Sequence, residues 1–326
     1  MEPQNKITTR TLQLLRVDAA LREEVASLLD GLLDNVVNRI QERKLTTVQS
    51  ARTRKLLADL KTVVGEGYKD IRGWYETNSA DLFDQEAAFA GKLAEGLGYT
   101  FAGLAPAATL EAAAATLIVG APAEAWWARQ EAATLFRFQQ QVRFGVAEGR
   151  TNAQIVDAVR REIDQSKREA EALVRTAVQS ISQQAQMKLY ENNLDVIDAY
   201  MHLSTLDTRT SDICIARSGL MWGAKSHKGI KHNVPYRQPP LHFNCRSRLI
   251  PILDRKEPLD GTQASMDGQV PANWTFEDWL DHQPPGVADE VLGKGRAKLW
   301  REGRITLNEL LDQRGNPLPL ADLRKM

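Results

Sequence analysis

The residues best suited to chemistry fall in one interval. Cys214, His227, His232, His242 and Cys245 lie close together in the chain. Two thiolates and two imidazoles suit tetrahedral zinc, and a small loop-rich unit gains most from such a staple. The spacing is incomplete, because there is no C-x-x-C and only His242 and Cys245 form a closely spaced pair. Buried free thiols, a Cys214–Cys245 contact, or histidines that only meet solvent fit the same residues. A Cys/His pair beside an aspartate is also the skeleton of a cysteine nucleophile. A His-Asn-Cys run among basic residues fits a metal-dependent nuclease or toxin-like enzyme. That chemistry normally needs carboxylates or a dense imidazole set around the metal. No Asp or Glu occurs between Asp212 and Asp254. No Gly-rich phosphate loop, nucleophile elbow or H-E-x-x-H motif appears in the chain.

The same acid-free interval holds Arg217, Lys225, Lys228, Lys231, Arg237, Arg246 and Arg248. Over the whole chain 42 Lys and Arg balance 42 Asp and Glu, which argues against global attraction to nucleic acid. A local positive surface remains, suited to phosphate or an acidic partner. Lys225, Lys228, Lys231, Arg237 and Arg248 are its expected contact residues. Alternatively, Arg209, Arg217 and Arg246 pair with carboxylates such as Asp207 and brace a domain short of core.

The elements that must position these residues are mostly helical. Leu21, Val25, Leu28, Leu29, Leu32, Leu33, Val36, Val37 and Ile40 recur at three- and four-residue spacing, one apolar face. Thr46 or Thr47 is the expected cap of a following helix through Leu56, Leu60, Val64 and Ile71, with a break near Gly96 to Gly98. Ala105 to Ala123 is apolar but mostly alanine, and reads as helix rather than a membrane span. Pro122 opens a helix carrying Trp126, Trp127 and Phe138. Gly149 then ends it, and Thr151 or Asn152 caps a short helix through Ile155, Val159 and Ile163. A longer helix is expected over about Lys167 to Asn192. The two fit a helix-turn-helix reader of DNA or, preferably, a packed hairpin.

After Asn193 the pattern changes. Val196 to Leu203 reads as a strand, and Leu206 to Leu253 as a loop-rich β unit. The polar 254–273 stretch reads as a linker. Trp274, Phe276, Trp279, Leu280 and Trp300 mark a tail, with Gly303 ending one helix and Thr306 capping the next. The expected fold class is α+β, an extended N-terminal helical region followed by a small loop-rich β module and a short helical tail. The boundaries are 1–120 for the helical region, 121–253 for the module, 254–273 for the linker and 274–326 for the tail. Two cysteines make no disulfide framework, and MEPQNKITTR lacks a signal pattern, so a reducing cytoplasm is expected.

Over roughly residues 130 to 253 the chain resembles the phage head morphogenesis family typified by the Mu F protein. The resemblance rests on Asp207, Arg209, Thr210 and Cys214, then Arg217, Gly219 and Trp222, then Pro239, Pro240, His242, Asn244, Cys245 and Arg246. The EGRTNAQI turn and RTAVQS helix resemble the family's lead-in. Many relatives look richer in cysteine, with a Cys-Arg-Cys ending. Here Ser247 follows Arg246, which excludes a four-thiolate site. The resemblance implies a low-copy, non-enzymatic virion head protein associated with the portal or inner capsid. Its implied partners are the portal protein, the major capsid protein and packaged double-stranded DNA, with no membrane. Its implied role is head assembly and DNA packaging or delivery. The helical region and the Trp-rich tail are the expected docking elements.

Overall fold

The computed structural model describes residues 3–43, 45, 47–96, 101–253, 259 and 261–326. Thr46, Gly98 and Asp254, named above as a cap, a break and a linker start, lie outside them. The chain divides into two compact units. One comprises residues 14–82 and 113–178, the other residues 1–13, 83–112 and 179–326.

In chain order the first elements are α1 (Pro3–Gln41), α2 (Ala51–Gly96), α3 (Pro106–Ala114), β1 (Leu117–Ile118), β2 (Ala121–Pro122), α4 (Ala123–Ala147) and α5 (Asn152–Glu191). Segments of α1, α2, α4 and α5 form the first unit. The apolar stripe of α1 is buried as its spacing requires, with Val25, Leu29, Val36 and Ile40 all fully enclosed. On α2 the same holds for Leu56, Leu60, Val64 and Ile71. A buried hydroxyl chain crosses the unit. The Tyr68 hydroxyl lies 2.8 Å from Thr134 Oγ1, which lies 2.8 Å from Ser166 Oγ. Burial pushes the Tyr68 phenol up to about 12, so it stays a neutral hydrogen-bonding group.

Three local expectations change. The cap of α2 is Ser50, whose Oγ accepts from the Thr53 amide at 3.1 Å, while Thr47 offers only its carbonyl. The alanine-rich stretch is not one helix. It breaks after α3 into the β1–β2 hairpin, whose turn holds Val119 and Gly120 at positive φ. The short and long helices expected after Gly149 are one 40-residue helix, α5. The polar Asp164 to Arg168 run contains no Gly or Pro, so nothing in it stops propagation. Gly149, at φ +70°, does terminate α4. Thr151 and Gln154 then form a reciprocal cap: the Thr151 amide donates to Gln154 Oε1 at 2.9 Å and the Gln154 amide to Thr151 Oγ1 at 3.3 Å.

The second unit contains the remaining elements: β3 (Ala199–Leu203), α6 (Asp212–Ile215), β4 (Met221–Gly223), β5 (Arg248–Ile252), β6 (Thr262–Ser265), β7 (Gly268–Pro271), α7 (Phe276–Asp281), α8 (Pro285–Leu292), α9 (Lys294–Arg301), a 3-10 turn (Leu307–Leu310) and α10 (Leu320–Leu323). The sheet order is β4-β3-β5, all antiparallel, with Tyr200 opposite Trp222 and Pro251. Strand alternation sorts the side chains. Tyr200, Trp222 and Leu249 join Met187, Leu189 and Tyr190 of α5 in one core cluster. Ala199, Met201, Ile250 and Ile252 form another. The α+β class is thus observed, with long helices first, then small sheets and short helices.

Where a linker was expected over 254–273, β6 and β7 pair as a hairpin about a Met266–Asp267 turn. The polar, glycine-containing composition is that of a tight turn. The Trp-rich tail is not an exposed docking element. Phe276, Trp279, Leu280, Leu299 and Leu307 are buried with Leu206 and Ile215 in one cluster. Large aromatics bury most area, and here the β unit supplies the surface that receives them.

Candidate functional site

The Cys/His site is assembled by two short turns. The first is Ser211 plus α6. Ser204 Oγ donates to the Cys214 carbonyl at 2.7 Å, tying this turn to the end of β3. The second is His242 to Cys245, closed by the Cys245 amide donating to the His242 carbonyl at 3.1 Å. Asn244 takes φ +60° within it, a conformation asparagine tolerates better than most residues. Helix α5 anchors the chain beyond Arg246. Gln179 Nε2 donates to the Ser247 carbonyl at 2.9 Å, and Gln183 Oε1 accepts from the Leu249 amide at 2.8 Å. One edge of β5 is thereby satisfied by side chains.

Cys214 Sγ lies 3.7 Å from Cys245 Sγ and 3.4 Å from His242 Nε2. Both cysteines are free and only 2% exposed. His242 Nδ1 lies 2.8 Å from the Phe243 carbonyl. A carbonyl only accepts, so Nδ1 carries the proton, and in the neutral ring Nε2 presents its lone pair to the sulfurs. Ser211 Oγ lies 2.7 Å from the same Nε2. The hydrogen bond from Cys214 holds the Cys245 thiol well below its ordinary value, against burial and with help from His242. Giving that hydrogen bond, together with burial, pushes Cys214 up.

Of the five sequence-predicted ligands, the structure brings together Cys214, His242 and Cys245. It leaves out the other two. His232 uses both ring nitrogens, donating to the Met221 carbonyl at 2.8 Å and accepting from the Val234 amide at 3.2 Å. His227 stacks on Tyr236 with ring centroids 4.1 Å apart. Sequence reasoning missed Ser211, although a serine three residues before Cys214 carries the signal of a helix N-cap. No carboxylate joins the cluster among the described residues, and both cysteines are buried.

The signature residues build the frame around this site. Asp207 accepts both guanidinium nitrogens of Arg246, the Arg209 amide at 3.0 Å and Thr210 Oγ1 at 3.1 Å. Arg209 itself projects into solvent. Trp222 is buried, and its Nε1 donates to the Val234 carbonyl at 2.8 Å. Arg217 is fully enclosed over the Trp222 ring, with Nη1 donating to the Pro235 carbonyl at 2.8 Å. Gly219, at φ +76°, lies so close to Thr275 that an added Cβ would stand 2.6 Å from its Cγ2. Pro240 precedes the His242 turn on the loop into β5.

The Asp207–Arg246 pair has a measurable pH signature. Burial raises the Asp207 carboxyl, but the Arg246 hydrogen bonds and charge outweigh it, and the group sits below its ordinary 3.8. A depressed carboxyl stabilises the fold fully above its unfolded value, and that stability is lost as pH falls through the folded value. Asp207→Asn should therefore lower neutral-pH stability by about 1–3 kcal/mol in denaturant titrations. The gap from the unsubstituted chain should close as pH drops below about 4. A pH-independent gap would mean that the carboxylate charge is not what matters.

The predicted basic surface is partly corrected. Lys225, Lys228 and Lys231 are exposed on the loop that returns from β4, where the Ile230 amide donates to the Met221 carbonyl at 2.9 Å. Arg237 is half-buried and donates to the Arg314 carbonyl at 2.7 Å. Arg248 cannot meet a partner. It is 6% exposed, and burial lowers its pKa while the Glu86 charge opposes that shift. Its place on β5, facing the core, was hidden by its basic neighbours in the sequence.

No described helix is long and apolar enough to cross a membrane. No curated protein and no solved structure matches the chain. Residues 137–250 match the family model described as phage Mu protein F like protein, a span holding the end of α4, all of α5, both cysteine turns and the lysine loop. Over that segment, which is less than half of the chain, the sequence is similar to the Mu F-like head morphogenesis family.

Proposed function

We propose that the chain is a structural, non-enzymatic minor head protein of a tailed bacteriophage, portal-associated or inside the capsid. It acts in head assembly and in DNA packaging or delivery, with the portal, the major capsid protein and packaged DNA as partners. The carrying observation is the family match over 137–250. The exposed Lys225, Lys228 and Lys231 loop supports a phosphate or acidic-protein contact in a chain whose formal net charge is zero.

The test is co-expression of the full chain with portal and major capsid proteins, followed by head purification. The chain should be retained in heads. A K225E/K228E/K231E variant should bind DNA or heads more weakly, and the deficit should shrink as salt rises, because each phosphate contact contributes about 0.9 to the logarithmic salt slope. Absence from heads refutes the reading, as does cutting of DNA by the purified chain. An unchanged salt profile removes the lysine loop from it.

A further inference from the structure

We propose that Cys214, His242 and Cys245 form a structural zinc site that staples the α6 turn to the loop entering β5. The three ligand atoms all lie within 4.8 Å of one another. Thiolates about 2.3 Å from a tetrahedral zinc are about 3.8 Å apart, and a thiolate and an imidazole nitrogen about 3.6 Å apart. The sulfurs stand 3.7 Å apart, and Cys214 Sγ stands 3.4 Å from Nε2. A disulfide instead needs the sulfurs at about 2.05 Å, well inside their present separation.

A second observation is independent of those distances. A metal-bound histidine typically donates its other ring N–H to a carbonyl or carboxylate, which fixes the tautomer and aims the lone pair. His242 does this through Nδ1 and the Phe243 carbonyl, leaving Nε2 on the sulfur side. A histidine present only for packing has no need of that orientation beside two buried thiols. Two thiolates balance the dication, so the site adds no net charge to a buried cluster that no carboxylate joins among the described residues. A fourth ligand would come from solvent, and the Ser211 hydroxyl lies 2.7 Å from Nε2. The ion would tie two buried turns together, which is the part of a fold element.

The experiment uses the full chain, expressed with added zinc and purified without chelator. Elemental analysis should find about one zinc per chain, since structural sites bind tightly. Cobalt exchanged into the site should give thiolate charge-transfer absorption and tetrahedral visible bands. Cys214→Ser and Cys245→Ser should each lose both signals, and His242→Gln should weaken them. Should the variants not fold, the unsubstituted chain carries the test: a strong chelator should strip the ion and lower the thermal midpoint, and zinc should restore it. Less than about half an equivalent in folded protein overturns the proposal. So does zinc that survives in the Cys214→Ser/Cys245→Ser double variant, or a native mass two hydrogens short of the free thiols.

Discussion

A Glu86→Ala chain is expected to lose about 3–5 kcal/mol of stability, the range for stripping one partner from a buried ion pair. The side chain of Glu86 is fully enclosed. It accepts from Arg10 Nε at 2.6 Å, Ser182 Oγ at 2.7 Å and Gln186 Nε2 at 3.0 Å. The Glu86 charge also acts on the enclosed Arg248. Removing the carboxylate takes the ion-pair partner from Arg10 and an acceptor from Ser182 and Gln186 in a low-dielectric interior. The measurement is a denaturant titration of the full chain. Glu86→Gln should recover part of the loss, because an amide oxygen still accepts hydrogen bonds. Equal stability of the two variants would mean that the negative charge alone matters and the hydrogen bonds add nothing. A loss below about 1 kcal/mol would place Glu86 in the class of solvent-screened pairs.

Trp279→Ala should cost a similar amount, about 3–5 kcal/mol, as large aromatic truncations in packed cores do. Trp279 is fully buried, packs edge-on against Phe276 at 5.0 Å between centroids, and donates from Nε1 to Asp267 at 3.2 Å. The same cluster includes Leu206 and Ile215, on either side of the Asp207 turn. Thermal unfolding should therefore show the β unit and the C-terminal helices melting in one transition, displaced downward in the variant. Two transitions, with only one displaced, would mean that the tail folds separately from the module. The same packing predicts that a fragment ending at Leu253 exposes the Leu206 and Ile215 faces and is poorly soluble.

Much of the helical architecture was legible because its signals are local. The α1 stripe, the Gly149 terminus and the Thr151 cap depend on spacing and backbone chemistry that a sequence displays. The pairing of Asp207 with Arg246 was open to sequence reasoning, since the interval offers so few carboxylates. Cys214, His242 and Cys245 were visible as types, and the fold selected them from five. The features that stayed hidden depend on long-range packing. Glu86 sits on α2 among Asp81, Asp84 and Glu95, and composition does not distinguish the enclosed carboxylate from its solvated neighbours. Arg248 was misread for the same reason in reverse. The tail aromatics looked like a surface because the cluster that covers them comes from another part of the chain.

The lysine loop carries a further consequence. Its backbone closes on β4 through hydrogen bonds from the Gly223 amide to the Lys228 carbonyl and from the Ile230 amide to the Met221 carbonyl. The charged side chains of Lys225, Lys228 and Lys231 contribute nothing to that closure and remain in solvent. Electrostatic identity at this tip is therefore separable from foldability. Different charges can be displayed there on an unchanged scaffold by rewriting a few codons, without rebuilding the sheet behind them.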